Sequence, residues 1–183
     1  MKKLILGLLP AAVFAAGIQL DFTPAQTTIH YSVSSTLHTV HGTFRLKRGE
    51  LHFDPAAGTL AGELVVDAAS GDSGSGSRDK RMHKEILESG KYPDIVFRPD
   101  RAIGPVAPEG ASTVQVHGIF EIHGAQHEIT APAEVRLSGN QAVAKIHITV
   151  PYVDWGMKDA SNFLLKVNRT VQIEVEATAS VRP

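Results

Sequence analysis

The feature that most constrains the fold of this chain is an alternation of apolar and polar residues that recurs almost everywhere after Gln19. Residues 171–179, VQIEVEATA, show it clearly, and similar runs are separated by turn residues such as DPAAG at residues 54–58. A period of two that leaves one face polar is typical of antiparallel sheets with one buried face. The 183-residue chain is therefore predicted to fold as one all-β domain of about eight strands.

Eight or so antiparallel strands can form either a sandwich or a closed barrel. The interior of a barrel of ~8 strands is filled by side chains or holds one small ligand. Gly42, Gly62 and Gly118 fall on the apolar faces of predicted strands, where a glycine either leaves space inside or marks a bulge in the wall. Both alternatives imply a curved wall and favour a barrel with internal space. Bulges in a densely packed core would produce the same pattern of glycines.

Residues 78–97, RDKRMHKEILESGKYPDIVF, interrupt the strand pattern with a charged, helix-like segment. We expect Ser77 to cap a short helix and Gly90 to end it. Met82 with Ile86, and His83 with Leu87, then lie at i,i+4 spacing and form one narrow apolar stripe. The stripe indicates that the helix lies on an apolar surface, which is either the mouth of a barrel or the edge of a sheet.

A second interruption, VDWGMKDASNFLLKV, occupies residues 153–167 and contains the single tryptophan of the chain. Trp155 is expected either to plug the core or to contact a ligand. Together with the predicted helix, this segment could frame one opening of a barrel.

The N-terminus has the features of a secretory signal peptide. Lys2 and Lys3 precede an apolar run that ends in small residues, and cleavage is expected after Ala15 or Ala16. The run is shorter than the ~20 apolar residues that span a bilayer. We therefore predict a signal peptide over residues 1–16, export to the periplasm or beyond, no transmembrane span after its removal, and a single domain over residues 17–183.

Composition excludes several classes of site. The sequence contains no cysteine, which excludes disulfides, thiolate metal sites and a cysteine nucleophile. The formal net charge is −1 and only 20% of residues are charged, so no basic surface points to nucleic acid. An exported domain without disulfides must be held together by its core.

Four segments, taken in order, resemble the YceI-like, polyisoprenoid-binding proteins of bacterial periplasms. They are YSVSSTLHTVHGTF (31–44), VVDAASGDSGSGSRD (65–79), KYPDIVF (91–97) and VQVHGIFEIHGAQHEIT (114–130). The resemblance implies an eight-stranded, antiparallel, lipocalin-like barrel with one short capping helix. It also implies that an isoprenoid chain, such as that of a polyprenyl phosphate or a quinone, binds inside the barrel.

The chain departs from the family pattern where the ligand's polar head would be contacted. Ser35 and Thr36 stand where the family often has histidine, residues 80–82 are Lys-Arg-Met, and WGMKDASNFLL replaces a shorter turn. These differences bear on the identity of the head group and leave the expected apolar tunnel unaffected.

The alternation assigns the walls of the expected tunnel to inward-facing residues of the strands. They are Val33, Phe44, Leu64, Val66, Phe97, Val116, Phe120, Ile122, Ile148, Val150 and Ile173.

The two interruptions supply candidate residues for the mouth of the barrel and for the ligand's head group. They are Arg78, Met82, His83, Lys84, Ile86, Trp155 and Lys158. For Arg78 an ion pair with Asp79 is the alternative role.

Two other classes of function stay open at this stage. A metal-dependent enzyme is one, because the chain has nine histidines and His123, His127 and His147 could approach one another across neighbouring strands. Zinc needs three or four suitably held ligands, however, and no HExxH-like spacing is present. A ligand-free stress or interaction protein with a filled barrel is the other. We predict no catalytic residue, metal or cofactor, with the isoprenoid lipid or quinone as bound ligand; a homodimer is compatible with this interpretation.

Overall fold

The computed structural model describes residues 17–182, so the predicted signal peptide lies outside the described residues. Eight strands and one short helix, which continues into a π-helical turn, make up the fold. In chain order they are β1 (Ile18–Ser34), β2 (Thr39–Asp54), β3 (Thr59–Asp72), α1 (Gly76–Arg81), the π-helical turn (Met82–Ile86), β4 (Asp94–Ile103), β5 (Gly110–Ile122), β6 (Ala125–Ser138), β7 (Gln141–Val150) and β8 (Val171–Arg182). Within residues 17–182, no helix has the length and apolar character needed to cross a bilayer.

The sheet is a closed barrel in which each strand pairs antiparallel with the next and β8 returns to β1. Tyr31 lies opposite Ile173 at this closure. The predicted eight-stranded antiparallel barrel is therefore confirmed, and the sandwich alternative is excluded. One end of the barrel carries residues 35–38, the helical segment, the β5–β6 turn and residues 151–170; we call it the helix end.

Bulges in the long strands change which residues face inward. In β1 the register shifts between Phe22 and Thr27, so even-numbered side chains point inward before the shift and odd-numbered ones after it. In β2 the register shifts after Leu46, and Leu51 and Phe53 then face the interior. The bulges therefore let both ends of β1 and β2 supply apolar side chains to the interior.

The three glycines on predicted apolar faces have two different roles. A Cβ on Gly62 or Gly118 would lie 2.2 or 2.4 Å from a backbone oxygen of the neighbouring strand. These two glycines therefore allow strands to approach closely at irregular points of the wall. A Cβ on Gly42 would lie 2.4 Å both from the Asp72 backbone oxygen and from the ring of Tyr31, so this glycine also leaves room for an inward aromatic side chain.

The helix forms between β3 and β4, but its ends differ from those predicted. It begins after Ser75 rather than Ser77, and the Ser75 carbonyl accepts the first helical hydrogen bond from the Asp79 N–H at 2.9 Å. The residue with a left-handed backbone at its end is Glu88, with φ of 45°, rather than Gly90. The Glu88 carbonyl accepts hydrogen bonds from the Lys91 and Tyr92 N–H groups, at 2.8 and 2.9 Å, in the turn that follows the helix.

Replacing Gly62 with alanine should destabilise the barrel. Gly62 has φ of 115°, and the added methyl group would clash with backbone rather than with a movable side chain. We expect a loss of about 1–3 kcal/mol in the free energy of unfolding, measured by urea denaturation. Gly90→Ala is the control, because Gly90 has no other heavy atom within 4 Å of the added carbon. Equal losses for the two variants would contradict the proposed backbone constraint.

Candidate functional site

The barrel encloses a cavity of about 440 Å³. Inward side chains of all eight strands line it, and the lining is almost entirely apolar. The volume lies within the range of ~300–1,000 Å³ that is usual for small-molecule sites. The cavity extends from the helix end, where Val40 lines it, to the opposite end, where Phe53 and Leu137 line it.

All of the residues that the alternation assigned to the tunnel walls line this cavity. They are Val33, Phe44, Leu64, Val66, Phe97, Val116, Phe120, Ile122, Ile148, Val150 and Ile173.

Alanine residues interrupt the apolar lining on one side of the cavity. Ala133 of β6, Ala142 and Ala144 of β7 and Ala177 of β8 line it between larger residues such as Ile148 and Ile173, whereas β1 to β3 supply aromatic and leucine side chains. The small side chains leave the interior unfilled on their side. Sequence reasoning missed them because it sought bulky apolar residues, although each alanine occupies an inward position in its strand.

The helical segment covers part of the helix end with apolar side chains. Met82, Ile86 and Leu87 all line the cavity. The Leu87 N–H donates to the Met82 carbonyl at 2.9 Å, a spacing of five residues that is characteristic of a π-helical turn. The extra residue in this turn brings Leu87 to the cavity beside Met82 and Ile86. The Tyr31 hydroxyl approaches the Met82 sulfur at 3.6 Å and links the segment to the wall.

The loop between β7 and β8 also folds onto the cavity, though not through Trp155. Tyr152 and Met157 line the cavity and are buried. Trp155 instead stacks on His127, with ring centroids 4.0 Å apart and an angle of 6° between the planes, and it lies 6.0 Å from Phe120. Trp155 is therefore half-buried against the wall and does not line the cavity.

Exposed residues line the cavity at both ends: His38 and Arg78 at the helix end, and Val143 at the opposite end. We call the opening at the helix end the portal. It lies between the first helical turn, the β1–β2 loop and the β7–β8 loop, and its residues are Ser35, His38, Arg78, Arg81, Leu165 and Val167.

Two arginines supply the positive charge of the portal. Arg78 donates hydrogen bonds from Nε to the Ser73 hydroxyl at 2.7 Å and from Nη2 to the Ser73 carbonyl at 2.8 Å. Within residues 17–182 no ion pair links Arg78 to Asp79; the Asp79 carboxylate accepts hydrogen bonds from Ser73 instead. Arg81, which sequence reasoning did not select, lies 3.7 Å from Glu85 through its Nε.

Three other mouth candidates lie away from the cavity. The His83 Nε2 donates to the Gly71 carbonyl at 2.9 Å. Lys84 is exposed on the outer side of the helical segment. Lys158 pairs with Glu85 at 2.6 Å, and this bond lowers the pKa of the Glu85 carboxyl. The pair joins the β7–β8 loop to the helical segment.

Comparison with known proteins identifies the family. A family model described as the YceI-like domain matches residues 20–179. The chain belongs to the YceI-like family. A relative from Shewanella denitrificans, named UPF0312 protein, is 31% identical over 130 residues, which cover 69% of this chain. The match spans 65% of that relative's length, slightly less than two thirds. The resemblance found in the sequence is thus confirmed.

Solved structures share the YceI-like fold at low sequence identity. Burkholderia cenocepacia BcnA has a TM-score of 0.71 at 17% identity, and the match covers 87% of this chain and 100% of BcnA. A polyisoprenoid binding domain from Saccharophagus degradans, implicated in plant cell wall breakdown, has a TM-score of 0.66 at 20% identity over 90% of this chain and 98% of that domain. A Campylobacter jejuni YceI protein has a TM-score of 0.60 at 14% identity, covering 100% and 94% of the two chains.

The histidines of this YceI-like chain do not assemble into a metal site in the part that the structure describes. The His123 Nε2 lies 2.6 Å from Glu88, and the His147 Nδ1 lies 3.5 Å from Glu174. His127 is half-buried against Trp155. Burial lowers the pKa of its imidazole.

His117 lies on the outer surface of the barrel between two carboxylates. Its Nδ1 is 2.6 Å from Asp100 and its Nε2 is 2.8 Å from Glu128. Carboxylate oxygens only accept hydrogen bonds, so both ring nitrogens can donate only in the imidazolium form. The hydrogen bond with Asp100 is the main cause that raises the pKa of His117 above 6.5, and the hydrogen bond with Glu128 raises it further.

This geometry predicts how the stability of the YceI-like barrel changes with pH. Because folding raises the pKa, the contribution of His117 is fully present below about pH 6.5 and is lost as the pH rises through the folded-state value. His117→Gln should therefore reduce the free energy of unfolding at low pH and have little effect at high pH, as measured by urea denaturation. A loss that is independent of pH would contradict the prediction. In NMR titrations, Asp100→Asn should lower the pKa of His117.

Proposed function

We propose that this protein binds an amphiphilic isoprenoid lipid, with the hydrocarbon chain inside the barrel and the polar head at the portal. The observation that carries the proposal is one apolar cavity that extends through the barrel and opens beside Arg78 and Arg81. The description of the Saccharophagus degradans domain as polyisoprenoid binding supports the same class of ligand.

The chemistry of the lining favours a hydrocarbon chain over a polar ligand. A polar group brought into an apolar interior without a hydrogen-bond partner costs several kcal/mol. An isoprenoid chain has no such group, and burial of its surface contributes about 25 cal/mol per Å². The small side chains of β6 to β8 also leave lateral room for the methyl branches of such a chain.

The portal favours a negatively charged head group. The guanidinium groups of Arg78 and Arg81 present several N–H donors, and paired donors match the oxygen atoms of a phosphate. His38 lies at the same opening. A polyprenyl phosphate therefore fits better than a quinone, whose carbonyls accept hydrogen bonds but carry no charge.

The proposed cellular role is sequestration or transport in the periplasm. Residues 1–16 have the pattern of an export signal. A long prenyl lipid is poorly compatible with the aqueous compartment on the far side of the inner membrane. A barrel that covers its chain would remove that incompatibility.

The first experiment is organic extraction and mass spectrometry of protein purified without detergent. We expect a prenyl lipid at a stoichiometry near one per chain, and its mass names the head group. A bound quinone would still support binding of an isoprenoid lipid, but it would contradict the assignment of a phosphate head group. Failure to bind any prenyl lipid, even after incubation with farnesyl phosphate, would overturn the proposal.

Filling the cavity should weaken ligand binding without unfolding the barrel. Ala133→Phe places an aromatic ring in the cavity, so we expect a loss of affinity of roughly tenfold or more for fluorescently labelled farnesyl phosphate. Ala111→Phe is the matched control, because Ala111 is exposed on β5. The thermal midpoints of both variants should stay close to that of the parent protein. Unchanged binding by Ala133→Phe would place the ligand elsewhere.

Removing one portal cation should discriminate between charged and uncharged ligands. Arg81→Gln should weaken binding of farnesyl phosphate by roughly fivefold to tenfold and leave binding of farnesol unchanged. The expected effect is moderate because Arg81 is partly exposed and screened by salt. Lys84→Gln removes a cation of the same helical segment outside the portal and serves as the control. Equal effects of the two variants would contradict direct contact with the head group.

A further inference from the structure

Apolar side chains project into solvent beside the portal. Phe163 is 97% exposed, Leu164 is 86% exposed and Leu37 is 78% exposed. Leu37 belongs to the β1–β2 loop, whereas the other two belong to the β7–β8 loop. We call these three residues the apolar tip.

Backbone hydrogen bonds hold the two loops of the apolar tip together. The Thr36 N–H donates to the Lys166 carbonyl at 2.9 Å, and the Asn168 N–H donates to the Ser34 carbonyl at 2.8 Å. Ser35 and Val167 also form a β-bridge. Leu37 and the 163–164 segment therefore form one surface feature at the rim of the portal.

The turn that carries Phe163 and Leu164 satisfies its own polar groups. The Asn162 side-chain oxygen accepts hydrogen bonds from the N–H groups of Leu164 at 2.9 Å and Leu165 at 2.8 Å. The Asn162 N–H donates to the Leu165 carbonyl at 2.9 Å. These bonds reduce the desolvation cost of moving this turn from water into a less polar medium.

Cations and one carboxylate flank the apolar tip. Residues 159–170 contain Asp159, Lys166 and Arg169, and residues 35–38 contain no acidic residue. Arg169 pairs with Asp154 at 2.8 Å, and Lys166 is exposed. Each exposed cation near an anionic lipid surface adds a favourable contribution that falls with salt.

We propose that the apolar tip inserts into the surface of an anionic lipid bilayer and docks the barrel with its portal facing the membrane. Exposed aromatic and leucine side chains flanked by cations are the combination that binds at the membrane interface. A second copy of this chain is a less suitable partner, because stable protein interfaces bury about 800 Å² per partner and two narrow loop tips offer much less.

Docking in this orientation gives the portal direct access to lipid. Leu165 and Val167 line the cavity, and they follow the exposed pair by one to four residues. A ligand could therefore leave the bilayer and enter the barrel without its chain crossing water. This consequence depends on the proposed lipid-binding function, whereas docking itself does not.

The test compares the purified protein with Phe163→Ser/Leu164→Ser in co-sedimentation with vesicles of phosphatidylethanolamine and phosphatidylglycerol. We expect the double variant to lose membrane partitioning by roughly tenfold or more. Ile103→Ser is the control, because Ile103 is 47% exposed at the opposite end of the barrel, and it should partition like the parent protein. Added salt or replacement of phosphatidylglycerol with phosphatidylcholine should weaken binding of the parent protein.

Two further measurements separate the possible failures. Equal partitioning of the parent and the double variant, or no partitioning of the parent, would overturn membrane docking. A parent dimer that the double variant converts to a monomer, measured by light scattering, would assign the apolar tip to self-association instead. Binding of labelled farnesyl phosphate from solution should be the same in the double variant and the parent; if neither protein binds it, the lipid-binding function fails independently of docking.

Discussion

The hydrogen bonds between β1 and β8 close the sheet, and the interior of the protein depends on that closure. In a closed barrel, each strand has two hydrogen-bonded neighbours, so the wall has no exposed edge. A sandwich of two separate sheets is held together by side chains packed between them. A closed barrel is held by hydrogen bonds around its wall, so its interior need not be completely filled with side chains. A chain without cysteine can therefore keep an apolar cavity of about 440 Å³.

The distribution of side-chain size within the barrel determines where its empty space lies. Ala142 of β7 lies opposite Leu137 of β6 and Ala179 of β8. On the other side of the barrel, β1 to β3 contribute bulky residues such as Phe44 and Leu64. The alanines of β6 to β8 therefore leave space opposite the bulky residues of β1 to β3. Enlarging one of these alanines fills space, whereas truncating a bulky residue adds space at the expense of packing.

The barrel and the part of the cavity nearer the helix end could be predicted from the sequence, because both follow from the alternation of apolar and polar residues. Phe120 and Ile148 were placed inward by alternation alone, and the structure has them there. Leu51 and Phe53 were not found, since the bulge in β2 reverses the parity of the pattern and a reversal has no simple signature in one sequence. Local irregularities of the ladder therefore limit this kind of prediction.

The mouth could be predicted less well, since its contacts depend on loops that are distant in sequence. Trp155 was singled out, but its stacking on His127 depends on how the β7–β8 loop returns to β6. Lys158 pairs with Glu85 across a separation of 73 residues. Arg81 was not among the mouth candidates, and its position at the portal became evident only with the direction of the helix.

The helical segment explains why the two ends of a bound amphiphile would not be interchangeable. Arg78, Arg81 and Met82 are spaced at i, i+3 and i+4, so they share one face of a helix, and all three line the cavity. Along that face the arginines come first, and the apolar Ile86 and Leu87 follow over the interior. Polarity therefore changes along the helix axis as well as around it. A ligand with a charged head and an apolar chain matches this gradient in one direction only, with its head at the portal.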